Sequence, residues 1–498
     1  MVRVKKKVIA IVLTIALALS LMSFTACFGR GEGGKQYSQY TINAVWCDDE
    51  KTLSVEMELI YRNSYLVELS YLSLHLFPQA FREGAKYAAV TSSYEIQNAF
   101  PDGEVNYGTF SLKDVTIGGK AAKYRIEGVD ENILTVDFPS PLMPTHTITI
   151  GITYTVRLPN IRHRFGWYGN TVNLGNFFPI AAVFENGEFH QDPYYSWGDP
   201  FFSAVAKFCV SITAPKNLIA AMSGLSEREE LEGDTAITRA QIKRARDFAI
   251  VLGEFAVLEE EVDGILIRYY HTNCDEPEKN LQTAVDAINT FNELFGKYPY
   301  KSFSVVQTPF LHGGMEYPGL VMISDMLDGA CFREVIIHET AHQWWYAVVG
   351  VNQVRHAWID ETLAEFSTTL FFEHNPEYGV TYEQRIASAL SAYTLFADLY
   401  RHKPNFSTAM CRHLSEFRSA REYVYLTYVK GQIMMDALRA QIGADAVIQG
   451  MRYLYEQNKF GIVTPALFTA AFENASQRQL ASFFDAWTSG TIQIFANP

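Results

Sequence analysis

The sequence predicts a multidomain protein in which an antiparallel β domain precedes an α+β domain with a helical C-terminal part. A chain of 498 residues is too long for a single hydrophobic core, and 48% of its residues are apolar. Apolar and polar residues alternate with period two from residue 39 to about residue 258, and a helical period replaces this pattern near residue 277. We therefore expect the β domain over residues 39–258 and the second domain over residues 259–498.

Strands are predicted throughout the first domain. In residues 53–59 and 148–156, apolar side chains alternate with Ser, Thr, Glu and Gly, as expected of strands that bury one face. Pro78, Pro139 and Pro215 interrupt the pattern, which favours antiparallel strands joined by turns. No segment of convincing length has a helical period before residue 258, so we expect no helix within this domain.

The second domain is predicted to begin with a helix and a small sheet. Apolar residues recur at helical spacing over residues 277–295, after which a Gly and a Pro end the helix, and a strand follows over residues 319–324. The next helix should start near Asp328, a plausible N-cap, and run to about Val348. Another covers roughly residues 359–373, and the pattern stays helical almost throughout beyond residue 380.

The sequence His338-Glu-Thr-Ala-His342 lies in the middle of the helix that starts near Asp328. Residues four apart share one face of a helix, so both imidazoles can bind one metal ion, and Glu339 points toward the water that the ion carries. Glu361 follows His342 after eighteen residues, enough for the chain to reverse and return a second helix beside the first. Two His and one Glu leave a fourth tetrahedral position open, as in catalytic zinc sites. The spacing predicts one Zn²⁺ per chain and favours a zinc peptidase.

The N-terminus carries the pattern of an export signal. Four basic residues precede a fifteen-residue apolar run and the sequence Thr25-Ala-Cys27, which resembles a bacterial lipoprotein processing site. We expect residues 1–27 to be a lipoprotein-type signal peptide ending at Cys27, the lipidated residue, and residues 28–38 to be a flexible linker. The protein is then exported and lipid-anchored to the outer face of a bacterial membrane. An uncleaved signal anchor is the alternative.

Charge and cysteine content argue against several other functions. The net charge is −14, and it becomes −18 without residues 1–26, which hold four basic residues and no acidic ones. This acidity argues against nucleic acid as a partner and against binding to anionic lipid through a basic surface. The five cysteines after Cys27 are scattered without a CxxC spacing, so neither a disulfide framework nor a thiolate zinc site is predicted.

Two further motifs accompany the HExxH-x18-E pattern. Gly313-Gly-Met-Glu-Tyr-Pro318 precedes the first histidine, and Tyr428-Val-Lys-Gly431 lies well after Glu361. In this order the motifs resemble those of the aminopeptidase N family of zinc metallopeptidases, which are gluzincins, and the chain looks like a short, lipoprotein-like bacterial member. The resemblance covers nearly all of the chain after the signal. It implies a thermolysin-like second domain and peptides with a free N-terminus as substrates.

The resemblance also assigns the catalytic residues. Glu339 would activate the zinc-bound water as general base and later return the proton to the leaving amine. Tyr428 would donate a hydrogen bond to the oxyanion that develops during the reaction. Tyr423 and Tyr425 are near enough in sequence to be rivals, but only Tyr428 is followed by the Lys-Gly of the motif.

The glycine-rich motif would bind the substrate. Its residues Gly313, Gly314, Met315 and Glu316 match the family's exopeptidase motif, in which the glutamate carboxylate holds the free α-ammonium of the substrate. An ammonium held near the metal places only the first peptide bond over the attacking water. Tyr317 stands where the family usually has Asn, and this departure changes the expected shape of the amine pocket.

Some alternatives stay open at this point. Glu365, one helical turn after Glu361, would either brace a ligand histidine from behind or lie on a solvated helix face. If Tyr317 removes the amine anchor, the enzyme would be a gluzincin endopeptidase rather than an aminopeptidase. A third hypothesis is a surface binding lipoprotein that keeps the fold without catalysis, against which the intact set of catalytic residues argues.

Overall fold

The computed structural model describes residues 37–495, apart from the side chain of Asp102. The predictions for residues 1–36, which include the signal peptide, Cys27 and most of the linker, lie outside the described residues. Over the described range the predicted fold class is confirmed, because a mostly β domain is followed by an α+β domain with a helical C-terminal part. None of the described helices is both long and apolar enough to cross a bilayer.

The β domain consists mainly of strands connected by short turns. In chain order these are β1 (Ser38–Cys47), β2 (Thr52–Arg62), β3 (Leu69–His75), β4 (Thr109–Ile117), β5 (Lys120–Ala121), β6 (Tyr124–Glu127), β7 (Ile133–Leu142), β8 (Thr147–Arg157), β9 (Phe165–Tyr168), β10 (Thr171–Leu174), β11 (Ile180–Ala181), β12 (Phe184–Glu185), β13 (Glu188–Phe189), β14 (Ala206–Pro215), β15 (Ile219–Met222), β16 (Leu225–Glu230), β17 (Thr235–Ala245) and β18 (Ile250–Gly253).

The largest sheet has eight strands in the order β16-β17-β14-β1-β2-β8-β4-β5. Two four-stranded sheets, β15-β18-β10-β9 and β11-β3-β7-β6, complete the body of the domain, and β12 pairs with β13. In β2 and β8 every second side chain is buried, as the alternation predicts. The sheet is not wholly antiparallel, however, because β1 pairs with β14 in parallel.

One α-helix interrupts the described strands of this domain, contrary to the prediction. It is α1 (Ser93–Ala99), and only Ala99 in it is buried. Ser92 caps its first turn by accepting from the Glu95 amide, and the Glu95 carboxylate accepts in return from Ser92. Local capping rather than an apolar stripe therefore starts this helix, so the hydrophobic period that predicts longer helices is absent.

The second domain contains a five-stranded sheet, a separate pair of short strands, and a series of helices. Its strands are β19 (Ala256–Val262), β20 (Ile265–His271), β21 (Ser302–Thr308), β22 (Gly314–Met315), β23 (Leu320–Ser324), β24 (Gly350–Val351) and β25 (Ile462–Val463). Its helices are α2 (Pro277–Phe295), α3 (Gly329–Ala341), α4 (Gln353–His356), α5 (Trp358–His374), α6 (Tyr382–Tyr400), α7 (Ala420–Val424), α8 (Lys430–Ile442), α9 (Ala444–Asn458), α10 (Pro465–Ser476) and α11 (Ala481–Thr488).

The sheet of the second domain has the order β19-β20-β21-β23-β22. Strand β19 already begins at Ala256, so the predicted boundary between residues 258 and 259 falls inside this strand. The short edge strand β22 pairs antiparallel with β23, whereas β20, β21 and β23 run parallel. This arrangement places the Gly313–Pro318 motif at the sheet edge, and it packs there against α3.

The helix that carries the HExxH pattern, α3, is shorter than predicted. It starts after Asp328, as expected, but ends at Ala341 rather than near Val348. Residues Gln343–Val348 form a π-type segment in which Trp345, at φ −105° and ψ 53°, leaves helical geometry. All six side chains of this segment are buried, so its apolar pattern gave no sign of the break.

Candidate active site

Three side chains from α3 and α5 point their polar atoms at one another. Nε2 of His338 lies 3.2 Å from Nε2 of His342. Oε2 of Glu361 lies 3.6 Å from the first of these nitrogens and 3.4 Å from the second. The predicted metal ligands therefore converge: His338 and Glu361 lie on α3 and α5, and His342 is the residue that directly follows α3.

The three atoms have the spacing of metal ligands rather than of hydrogen-bond partners. Atoms bound at about 2.0–2.2 Å to one tetrahedral zinc ion lie about 3.3–3.5 Å apart, close to the distances here. Among residues 37–495, Oε2 of Glu361 has no hydrogen-bond partner, although a buried carboxylate oxygen needs one or a cation. A divalent ion held by His338, His342 and Glu361 satisfies this oxygen, so the residues fit the metal that the spacing predicts.

The other nitrogen of each imidazole is also fixed. Nδ1 of His342 lies 3.1 Å from the carbonyl of Trp345, which reaches it because the chain leaves helical geometry at that residue. Nδ1 of His338 lies 3.2 Å from Oε2 of Glu365, whose other oxygen accepts from Arg385 at 2.6 Å. Each partner requires a proton on Nδ1 and leaves the lone pair of Nε2 for a metal. The position of Glu365 therefore agrees with the alternative in which it holds a ligand histidine from behind.

Glu339 lies beside this metal centre. It is 6% exposed, and its Oε2 has no hydrogen-bond partner in the described structure. Burial raises the pKa of Glu339 to about 7, against the opposing effect of His338 and His342. Gly314 packs directly on it, since a Cβ at Gly314 would overlap its carboxylate. The glycine motif and the metal helix therefore touch at the proposed general base.

Two tyrosines share one oxygen of the ligand carboxylate. The phenol of Tyr428 donates to Oε1 of Glu361 at 2.6 Å, and that of Tyr423 donates to the same atom at 3.2 Å. The ring of Tyr425 instead stacks on Phe396, with centroids 4.6 Å apart. Burial, and next the charge of Glu361, raise the pKa of Tyr428 well above its usual value. Tyr428 therefore keeps the proton that an oxyanion donor needs.

Glu316 also reaches the metal centre. It is 3% exposed, and its carboxylate, an imidazole nitrogen of His342 and a carboxylate oxygen of Asp360 lie within 4.8 Å of one another. Tyr317, the residue after it, is fully buried and donates its phenol proton to Oδ1 of Asn176 in the β domain at 2.7 Å. The departure from the family motif is thus directed away from the metal centre.

Comparison with known proteins agrees with this geometry. Residues 279–487 match the model of the peptidase family M1 domain. The second domain of this chain is thus similar to the peptidase family M1 domain. The matched region begins in α2 and ends in α11, so it contains every residue of the metal centre.

Curated M1 relatives are distant and longer than this chain. Aminopeptidase 2 of Candida albicans is 26% identical over 317 residues, which are 59% of this chain and 33% of the relative. Aminopeptidase N of Lactobacillus helveticus is 26% identical over 250 residues, which are 45% of this chain and 28% of the relative. The chain spans between about a quarter and two fifths of the length of the curated relatives that it matches.

Solved M1 structures share the fold over almost the whole chain. The M1 zinc metallopeptidase of Deinococcus radiodurans aligns with a TM-score of 0.64 at 17% identity, covering 93% of this chain and 96% of that one. A mutant of the same protein, bound to a Tyr-Ser-Ala substrate, aligns with a TM-score of 0.63 at 17% identity over the same shares. The M1 fold therefore covers the β domain as well as the metal centre.

The candidate site opens into a cavity of about 510 Å³ between the two domains. Its walls include the metal ligands, Glu316, Glu339 and both tyrosines, together with a β-domain segment that the sequence did not single out as part of the site. This segment is Ser196–Asp199, and Asp199 forms an ion pair at 2.6 Å with Arg164, which also lines the cavity. The Asp199 carboxylate thus adds a second acidic group opposite Glu316.

The charge of Asp199 acts on Glu316. Burial raises the pKa of Glu316 well above its usual value, and the charge of Asp199 is the next contribution in the same direction. A cation bound between two buried acids offsets their mutual repulsion. Strand patterns in the sequence do not relate these two acids, because they are more than one hundred positions apart in the chain.

The last two residues of the Tyr428–Gly431 motif have structural roles. Lys430 is buried, and its ammonium donates to the carbonyls of Thr408 at 2.7 Å and Trp487 at 2.8 Å. A Cβ at Gly431 would overlap the side chain of Thr362, so glycine allows α8 to pack against α5. The motif therefore fixes α8, which begins two residues after Tyr428, against α5, which carries Glu361.

Proposed function

We propose that this chain is a zinc aminopeptidase that hydrolyses the first peptide bond of peptides with a free N-terminus. The observation that supports it best is the position of Glu316, whose carboxylate lies within 4.8 Å of the ligand atoms of His342 and Asp360. An ammonium bound to Glu316 therefore leaves room for only one residue between the chain end and the metal. A longer spacing would suit an endopeptidase.

The chemistry divides among Glu339, Tyr428 and the ion. A bound Zn²⁺ supplies a Lewis acid for the scissile carbonyl and lowers the pKa of the attacking water. Glu339, buried beside the ligands, accepts the proton of that water and returns it to the leaving amine. Tyr428, which keeps its phenol proton, shifts its hydrogen bond from Glu361 to the developing oxyanion.

Two carboxylates from different domains bind the substrate ammonium. Glu316 follows strand β22, and Asp199 lies in the β-domain segment that lines the same cavity. A cation placed between two buried acids offsets their mutual repulsion. Tyr317 does not disturb this pair, because its phenol is bonded to Asn176. These contacts favour the aminopeptidase over the endopeptidase alternative.

We propose one zinc ion per chain. Two groups of side chains among the described residues have metal-binding spacing, namely His338 with His342 and Glu361, and Glu316 with His342 and Asp360. Both groups need His342, whose Nδ1 is already paired with the Trp345 carbonyl. One imidazole nitrogen cannot serve two ions, so the groups exclude each other.

Hydrolysis by the Glu339→Gln variant tests this function. The amide keeps the shape of the carboxylate but cannot accept the proton, so kcat should fall by roughly 10²–10⁴-fold while the zinc content stays unchanged. Tripeptides with free and with acetylated N-termini serve as substrates. Unchanged hydrolysis by the variant would refute the role of Glu339. Equal cleavage of the acetylated peptide by the unaltered protein would identify an endopeptidase instead.

We further propose that Cys27 carries a lipid that anchors the exported protein to the outer face of a bacterial membrane. The support comes from the sequence, in which a basic head and an apolar run precede Thr25-Ala-Cys27. Among residues 37–495 no helix could span a membrane instead. Two or more acyl chains on one cysteine hold a protein stably at a bilayer surface.

Expression with a labelled fatty acid tests the anchor. The unaltered chain should incorporate label and sediment with membranes, whereas Cys27→Ser should incorporate none. Cys47→Ser is the matched control, because Cys47 lies in β1, beyond the predicted signal and linker. Label in the Cys27→Ser variant would contradict the proposal.

A further inference from the structure

A buried glutamine connects the carboxylate of Glu316 to the helix that carries Glu361. The amide nitrogen of Gln353 donates to Oε1 of Glu316 at 3.1 Å and to Oδ2 of Asp360 at 2.8 Å. All three side chains are at most 3% exposed. An amide nitrogen has two hydrogens, so these two bonds use both of its donors.

The backbone around Gln353 is held in place. Gln353 is the first residue of the short helix α4, and the side chain of Asn352 caps that helix by accepting from the amides of Val354 at 3.2 Å and Arg355 at 3.1 Å. Immediately before it, strand β24 pairs with β25. The amide therefore projects from an anchored turn that lies between the two ligand helices.

This arrangement of buried polar groups destabilises the folded protein. Two acids, Glu316 and Asp360, approach each other in a buried region and repel when both are charged. In addition, Oε1 of Gln353 and Oδ1 of Asp360 are buried without hydrogen-bond partners in the described structure. Unsatisfied buried polar atoms destabilise a protein, and native structures hold few of them. Such a cluster points to a role in function.

We propose that Gln353 is the positioning residue of the amine site, whose amide holds Glu316 in the orientation that meets the substrate's α-ammonium. The inference rests on the proposed aminopeptidase function. The bond from Gln353 occupies Oε1 of Glu316, which leaves Oε2 for the ammonium. Asp360 in turn accepts the second amide hydrogen and fixes the plane of the amide. Gln353 itself does not line the substrate cavity.

A pair of inhibitors separates positioning from a merely structural role. Leucine hydroxamate carries the α-ammonium, and its des-amino analogue lacks only that group, so the ratio of their inhibition constants measures recognition of the amine. The zinc-loaded full chain should prefer leucine hydroxamate. Gln353→Met, of similar size but without donors, should reduce this preference by roughly tenfold to a hundredfold, since the variant loses hydrogen bonds to charged groups. Affinity for the des-amino analogue and zinc content should stay unchanged.

Two further variants complete the test. Gln353→Leu also lacks both donors, so it should lose the preference as well, and it serves if Gln353→Met does not fold. Gln432→Met is the matched control, because Gln432 is another buried glutamine, 4% exposed, whose amide donates to Thr369 at 2.7 Å. The control should keep the full preference.

The outcomes distinguish the two proposals. An unchanged preference in folded Gln353→Met and Gln353→Leu overturns the role of Gln353, as does an equal loss of affinity for both inhibitors together with loss of zinc. If the unaltered protein binds both inhibitors equally and hydrolyses no free peptide, the aminopeptidase function itself fails.

Discussion

The phenol of Tyr428 and the carboxylate of Glu361 form a 2.6 Å hydrogen bond at Oε1, while Oε2 of the same carboxylate faces the two ligand histidines. One side chain thus serves the metal with one oxygen and the proposed oxyanion donor with the other. The ring of Tyr428 is nearly parallel to the imidazole of His338, with centroids 5.6 Å apart. Tyr428 is therefore held beside the reacting centre before any substrate binds.

Tyr428→Phe should lower kcat by roughly 10²–10³-fold with little change in KM, because the lost hydrogen bond forms in full only in the transition state. Zinc content should stay the same, since Oε2 of Glu361 still faces the metal. Kinetics on a free tripeptide check this. Tyr423→Phe is the comparison. Tyr423 donates to the same oxygen at a longer 3.2 Å, so its replacement should lower kcat less. A larger loss in Tyr423→Phe would transfer the role to that residue.

Gly314→Ala should abolish most activity while leaving the fold intact. The new Cβ would overlap the carboxylate of Glu339 and push the general base out of line with the attacking water. Gly313→Ala is the matched control, since a Cβ there meets only Val335 at 3.6 Å, an ordinary contact. Activity and thermal unfolding of both variants are the measurements. Equal activity in the two variants would show that Gly314 and Glu339 do not touch as described.

Glu365→Gln should weaken zinc binding about 10- to 100-fold, as the loss of a carboxylate behind a metal-bound histidine does elsewhere. The Glu365 carboxylate lies 3.2 Å from Nδ1 of His338 and aligns that imidazole toward the metal. Competition with a chelator gives the zinc affinity of the variant. Glu373→Gln is a suitable control on the same helix, because Glu373 pairs with Arg439 instead. Unchanged zinc affinity in Glu365→Gln would favour the alternative of a mere helix-face glutamate.

The sequence predicted the convergence of the metal ligands, because this follows from helical spacing and the length of one connection. The helical period places His338 and His342 on one face, and the eighteen-residue gap predicts the returning helix of Glu361; the three side chains do converge. Glu316 and Tyr428 could be named only from the family resemblance, because nothing in their spacing shows that they reach the same cavity. The structure brings both to it.

Tertiary contacts account for what the sequence did not predict. No sequence pattern assigned a role in the site to Asp199 or Gln353, and only the fold brings them to it. The end of α3 was misplaced because residues 343–348 are mostly apolar and all buried, which hides a change from helix to π-type geometry. That change has a consequence for the site, since it turns the Trp345 carbonyl toward His342.

A chain of hydrogen bonds continues from the glycine motif into the β domain and ends at Asp247. Tyr317 donates to Asn176, whose amide donates to Oδ2 of Asp247 at 2.5 Å, and the Phe248 amide donates to the other oxygen at 2.7 Å. Burial raises the pKa of Asp247 to about 7, although these hydrogen bonds and Arg164 act against the rise. The folded protein therefore holds a proton at Asp247 over a pH range in which the unfolded chain does not.

This gives a stability prediction with a definite sign. The unfolded pKa of an aspartate is about 3.9, so the stabilisation from a protonated Asp247 is complete below that pH and is lost as the pH rises through about 7. Between pH 5.5 and 8.5 the loss amounts to about 2 kcal/mol at roughly 1.4 kcal/mol per pH unit. Asp247→Asn removes this dependence, since its amide does not titrate. Its Tm should exceed that of the unaltered protein at pH 8.5, and the difference should shrink at pH 5.5.

Thermal unfolding of both proteins at the two pH values, with zinc in excess, measures the effect. Asp445→Asn is the control, because Asp445 is exposed on α9 and should leave the pH dependence as it is. The other titrating groups, including the ligand histidines, are common to all three proteins and cancel in the comparison. If Asp247→Asn and the unaltered protein differ by the same Tm at both pH values, Asp247 does not bind its proton in the folded state as its burial requires.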